Sequence, residues 1–91
     1  MSRAIPWVAI VDDDPSVLKA LSRLLKSHSF RTSAFTSAAE FLRALPDGLP
    51  DCLILDLHMP EMTGLQLQLH LRHSRIKIPT IVITGSDNER A

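Results

Sequence analysis

Four oxygen-bearing side chains stand at the ends of apolar runs: Asp12 and Asp13 after "WVAIV", Asp56 closing "CLILD", and Thr84 near the end of "IPTIVITG". Adjacent acids need a reason, since at ~5 Å and an effective dielectric of ~20 each carboxylate pair repels by roughly 3 kcal/mol. An oxygen-rich, carboxylate-dense pocket suits a hard divalent cation, and Mg²⁺ usually accepts one or two protein carboxylates plus water. If one carboxylate faces a phosphoryl donor, Asp can act as a nucleophile and form an acyl phosphate. The Thr84 hydroxyl could then hydrogen-bond a phosphoryl oxygen. The plainer alternatives are a solvated loop for Asp12 and Asp13, a strand terminator for Asp56, and a turn residue for Thr84 before Gly85.

These side chains meet only if the elements bring them together. Trp7 to Val11 is a near-continuous apolar run, which predicts a strand covered on both faces. From Pro15 the period changes: Val17, Leu18, Leu21, Leu24 and Leu25 share one face of an amphipathic helix, with Asp14 as its cap and Pro15 at its first position. Phe30 to Phe35 is a weaker strand candidate. "SAAE", Ser37 to Glu40, reads as a capping box opening a helix with Ala38, Phe41, Leu42 and Leu45 on one face, stopped by "PDGLP". Cys52 to Asp56 is the next strand, followed by the loop "LHMPEMTG". Ile78 to Gly85 is β-branched and apolar and predicts a further strand.

Gly64 to Leu71 is ambiguous, because Leu65, Leu67, Leu69 and Leu71 alternate as in a strand. Leu, Gln and Arg favour helix, and a parallel crossover needs about a dozen residues, usually helical. We read it as a helix. Leucines two apart then fall on opposite faces, so one face should leave apolar surface uncovered.

The order β-α-β-α-β-α-β predicts an α/β fold with a parallel sheet, helices on both sides and right-handed crossovers. Ligand sites in such sheets lie beyond the carboxyl ends of the strands, where strand order reverses. That is where the acids fall. Ninety-one residues make one domain. Ten basic and ten acidic side chains cancel, giving no overall electrostatic footprint for nucleic acid or an anionic membrane. The single cysteine, Cys52, excludes an intramolecular disulfide and is expected to be a small buried hydrophobe. No run approaches a membrane span and no signal-peptide core opens the chain, so a soluble cytoplasmic protein is expected. His28, His70 and His73 are expected on the surface, with no zinc set to complete.

"VDDDPSV", "LILDLHMPEMTG" and "IPTIVITG" resemble the receiver domain of two-component response regulators, in the branch that includes nitrogen-fixation and nitrate regulators. The likeness runs from Trp7 to Gly85. It implies a flavodoxin-like doubly wound sheet of strand order 2-1-3-4 and a signalling module rather than an enzyme with a separate substrate. The resemblance implies Asp56 as phosphoacceptor, attacking the phosphohistidine of a sensor histidine kinase. It implies Asp13 as direct ligand of Mg²⁺ or Mn²⁺, Asp12 acting largely through water, and the main-chain carbonyl of His58 completing the set. Thr84 would contact the phosphoryl oxygen, while His58 and Ser86, each two positions beyond a site residue, would tune hydrolysis. His58 is equally readable as an inert loop side chain.

The family's fifth strand, with its lysine and an aromatic switch residue, has no counterpart up to Ala91. Residues 1–91 are therefore expected to form a single incomplete receiver, lacking the last strand and its flanking helices. Its fourth strand would be an exposed edge, and self-association through it is expected. The alternative function is a phosphorylation-incompetent stub acting through protein contacts. Relatives in this branch commonly carry a DNA-binding output domain, so any transcriptional role would rest on residues beyond Ala91.

Overall fold

The computed structural model describes residues 5–83. Four strands and three helices alternate: β1 Trp7–Val11, α1 Pro15–Ser27, β2 Arg31–Phe35, α2 Ala38–Ala44, β3 Cys52–Asp56, α3 Gly64–His73 and β4 Thr80–Ile83, with a 3-10 turn at Leu45–Asp47 after α2. The sheet is fully parallel in the order β2-β1-β3-β4. The predicted order therefore holds.

The alternation of side chains along β1 explains its unbroken apolar run. Val8 and Ile10 face α1 and pack on Leu18, while Ala9 and Val11 face the opposite side. There they join Leu53 and Leu55 of β3, Ala38 and Phe41 of α2, and Leu67 and Leu71 of α3. Phe41 is essentially fully buried and meets the Phe35 ring edge-on at 5.5 Å between centroids. Burial of a side chain of that kind is worth about 1.5–3 kcal/mol.

Helix starts follow local chemistry. Asp14 caps α1 by accepting the Ser16 N–H at 2.9 Å, with Pro15 behind it. Ser37 caps α2 by accepting the Glu40 N–H at 3.2 Å. The reciprocal half of the expected capping box is displaced by one residue, since Glu40 Oε1 accepts from both the N–H and the hydroxyl of Thr36 at 2.8 and 2.9 Å. These bonds hold the Glu40 carboxyl below the usual range. The full reciprocal box is at α3, where Thr63 and Gln66 exchange bonds of 3.2 and 2.8 Å.

The alternating leucines of α3 separate as a helix requires. Leu67 and Leu71 are buried, and Leu65 and Leu69 are 58% and 43% exposed. β4 is shorter at its start than expected, because Ile78 and Pro79 belong to the loop before it; Leu53 N–H bonds the Pro79 carbonyl at 2.8 Å. Cys52 is half-buried rather than buried, because α1 covers β1 and β2 but leaves this side of β3 partly open. His28, His70 and His73 are exposed.

Candidate functional site

Neighbouring strand ends set the geometry of the acids. Val11 pairs with Leu55 in register, so Asp12 and Asp56 leave the sheet side by side. One carboxylate oxygen each from Asp12, Asp13 and Asp56 lies within 4.8 Å of the others. Asp12 and Asp56 are 5% and 7% exposed, whereas Asp13 faces solvent. The site is a cleft with two buried acids and one open one.

Backbone donors orient both buried carboxylates. Asp12 Oδ1 accepts the Asp14 N–H at 2.9 Å, and Asp56 Oδ1 accepts the His58 N–H at 3.2 Å. These bonds do not compensate the burial. Desolvation, followed by the charges of Asp56, Asp13 and Asp14, raises the Asp12 pKa above its usual value despite the Asp14 N–H. Asp56 is raised by desolvation first and then by Asp13, against the lowering pull of the His58 N–H and side chain. Without a counter-ion the cluster is under mutual repulsion.

The donor set fits a divalent cation. Three carboxylate oxygens converge, two of them in partly dry surroundings with raised pKa values, and hard cations take all-oxygen sets of this kind. A bound cation would favour the charged form of each carboxyl and so oppose the raised pKa values.

The loop after Asp56 is anchored from beneath. Met59 is buried in the α2/α3 core and Met62 packs against it. Leu57 N–H bonds the Ile83 carbonyl at 3.0 Å, joining the loop to the end of β4. His58 is exposed beside Asp56. Thr84 and Ser86 lie outside the described residues.

Gly64 closes the "LILDLHMPEMTG" motif, and the structure gives it a role that the motif alone does not. Its N–H bonds the Leu57 carbonyl at 3.1 Å, and a β-carbon there would overlap the main-chain carbonyl of Asp56 and meet Leu57 Cα at 3.0 Å. Only a residue without a side chain lets α3 begin this close to the end of β3. The Thr63–Gln66 box fixes the same helix start, and its Thr-x-x-Gln spacing is a signal readable in the sequence.

Comparisons with known proteins agree with this arrangement. The family profile of the response regulator receiver domain matches residues 8–91. The chain is 46% identical over 78 residues to the response regulator protein TmoT of Ectopseudomonas mendocina, covering 86% of this chain and 36% of that protein. It is 42% identical over 78 residues to the transcriptional regulatory protein FixJ of Rhizobium meliloti, covering 86% of this chain and 38% of that one. The crystal structure of FixJ-N superposes with a TM-score of 0.82 at 39% identity, over 90% of this chain and 66% of that one. The chain thus spans little more than a third of the length of these two regulators. With the strand order, the convergent acids and these matches together, the chain belongs to the response regulator receiver domain family.

Proposed function

We propose that residues 1–91 act as one receiver unit in which Asp56 accepts a phosphoryl group from the phosphohistidine of a sensor histidine kinase. The observation that carries this reading is the convergence of Asp12, Asp13 and Asp56 within 4.8 Å at the carboxyl ends of β1 and β3. The His58 N–H holds Asp56 Oδ1, which leaves Oδ2 as the attacking oxygen. That oxygen forms the new O–P bond as the N–P bond of the donor breaks, and the imidazole leaves with the electron pair and takes up a proton. The chain acts on itself, as a signalling module.

Asp12, Asp13, Asp56 and the His58 carbonyl would hold Mg²⁺ or Mn²⁺. Bound there, the cation supplies charge neutralisation for the phosphoryl oxygens. Asp12 and Asp13 otherwise set the negative potential that draws the cation in. Thr84 would contact the phosphoryl oxygen, and His58 and Ser86 would tune its hydrolysis. The reading places the protein in the cytoplasm; among the described residues no helix is long and apolar enough to cross a membrane.

A second contact is part of the reading. Ile81, on β4, is 56% exposed, and only one side of β4 is paired among the described residues. Edge strands of this kind pair with other chains, so we read self-association through β4, checked by light scattering across a concentration series. A mass that stays monomeric throughout contradicts it.

The phosphoryl reading is tested by incubation with Mg²⁺ and a small phosphodonor, followed by intact mass. An adduct on the wild type and none on Asp56→Asn supports it. A stub acting through protein contacts alone gives no adduct on either.

A further inference from the structure

β2 closes the sheet at the end opposite β4 and, among the described residues, pairs only with β1. Its open side is bounded by α1 and α2. The register on β1 fixes which backbone groups point outward there. Arg31 N–H bonds the Pro6 carbonyl at 2.9 Å, and the Phe35 carbonyl accepts the Asp12 N–H at 3.1 Å. In a parallel ladder alternate residues address the same neighbour, so Arg31, Ser33 and Phe35 turn their amides toward β1. Phe30, Thr32, Ala34 and Thr36 therefore turn theirs outward, and such a row is a template for an added strand.

Both ends of that row are occupied. The Phe30 N–H bonds the Leu25 carbonyl at 3.0 Å, in the turn that ends α1. The Thr36 N–H and hydroxyl both donate to Glu40 Oε1, at 2.8 and 2.9 Å, so a side chain of α2 reaches back to the strand edge. Charge-assisted bonds of this kind are stronger than neutral ones. They hold the Glu40 carboxyl below its usual range, which keeps the acceptor ionised at neutral pH. Glu40 and Arg43 also border a shallow hollow of about 390 Å³ with Ala34 and Phe35, which sets two charged side chains beside the edge. Of the four outward N–H groups, those of Thr32 and Ala34 have no partner among the described residues.

We propose that Glu40 is an edge guard: by occupying the Thr36 N–H it cuts the open row of β2 to two residues and keeps a second copy of this chain from adding a strand there. Strands in folded proteins run from about three residues upward, so two open positions hold a partner strand poorly. With Thr36 released, the row from Thr32 to Thr36 reaches that range. A second copy is the strand to exclude, because antiparallel pairing centred on Ala34 sets Thr32 opposite Thr36 of the copy, and the two-fold symmetry uses the Thr36 N–H of both. Short edges and charged side chains are how folded sheets stay unpaired, and one carboxylate supplies both here.

The proposal is independent of phosphoryl transfer and of pairing at β4, since its readout is the exchange of β2's own amides. The test is amide hydrogen exchange, resolved by NMR, across a concentration series. In the wild type the Thr36 amide should be protected, while Thr32 and Ala34 exchange fast at every concentration. In Glu40→Ala, Thr32 and Ala34 should slow by about tenfold or more as the concentration rises. Glu40→Asp, one methylene too short to reach Thr36, should do the same, and Glu40→Gln, which keeps the acceptor oxygen, should retain the wild-type pattern. Glu40 lies outside the core clusters, so these variants leave the packing in place. Ser37→Ala is the control, removing the cap that accepts the Glu40 N–H while leaving the bonds to Thr36, and it should leave Thr32 and Ala34 fast. Concentration-dependent protection of Thr32 and Ala34 in the wild type, or its absence from both Glu40→Ala and Glu40→Asp, overturns the proposal. So does the same protection in Ser37→Ala, which would assign it to a loosened α2.

Discussion

Gly64 lies against the main-chain carbonyl of Asp56, closer than any side chain at position 64 would allow. The first residue of α3 and the last of β3 are thus packed backbone to backbone. The position of the Asp56 carboxylate depends on that contact as well as on its own strand. A receiver-type acid is held here by a neighbouring helix start.

Gly64→Ala tests this directly. In an unconstrained helix the change would stabilise by up to about 1 kcal/mol, but here the added methyl must displace the end of β3. The expected result is destabilisation of about 1–3 kcal/mol in denaturant unfolding, the cost of overpacking. Phosphorylation should slow with it. Unchanged or increased stability would show that the contact relaxes freely.

Thr63→Ala removes one half of the box that starts the same helix. Loss of the N-cap bond to Gln66 should cost about 1 kcal/mol, measured in the same way. A larger effect on the phosphorylation rate than on stability would show that the helix start also positions the acid.

The pH dependence of the metal-free protein follows from the raised pKa values of Asp12 and Asp56. A carboxyl whose folded pKa lies above its unfolded value, near 3.8 here, binds more protons folded than unfolded at intermediate pH. Its contribution is fully present below the unfolded pKa and is lost as pH rises through the folded one. Asp12→Asn should therefore raise the melting temperature at neutral pH, most clearly without divalent cation. A relief of about 1 kcal/mol corresponds to about 4–8 °C in a domain this small. Equal melting curves for variant and wild type across pH 3 to 8, taken as a rough range around the carboxylate pKa values, would remove the repulsion from the account.

Mg²⁺ should stabilise the wild type for the same reason, by binding the folded state alone. At about 100 times its dissociation constant the gain is about 2.7 kcal/mol. Asp13→Asn should reduce that gain in thermal unfolding. Equal gains in the two proteins would remove Asp13 from the ligand set.

Much of this arrangement is legible from residue order because the signals are local and repeated. The apolar run of β1, the cap at Asp14, the acid ending β3 and the alternation at Leu65 to Leu71 each follow one periodicity or one cap rule. They predict the succession of elements and the exposed face of α3, while the strand order follows from the resemblance to the receiver family. What escaped has a tertiary cause. Glu40 bonds Thr36 rather than Ser37 because the chain leaving β2 brings the Thr36 N–H and hydroxyl within reach together. Cys52 is half-open because it lies on a side of β3 that α1 covers only in part. Gly64 closes the "LILDLHMPEMTG" motif, but its need for a bare Cα comes from a strand end eight residues earlier in the chain, which residue order alone does not reveal.

The central claim is that Asp56 is the acceptor in a site built from Asp12, Asp13 and the start of α3. Intact mass after incubation with Mg²⁺ and a small phosphodonor measures it most directly. The account predicts a single phosphoryl adduct on the wild type, absent from Asp56→Asn and reduced in Asp13→Asn. An adduct that persists in Asp56→Asn, or none on the wild type, would contradict it.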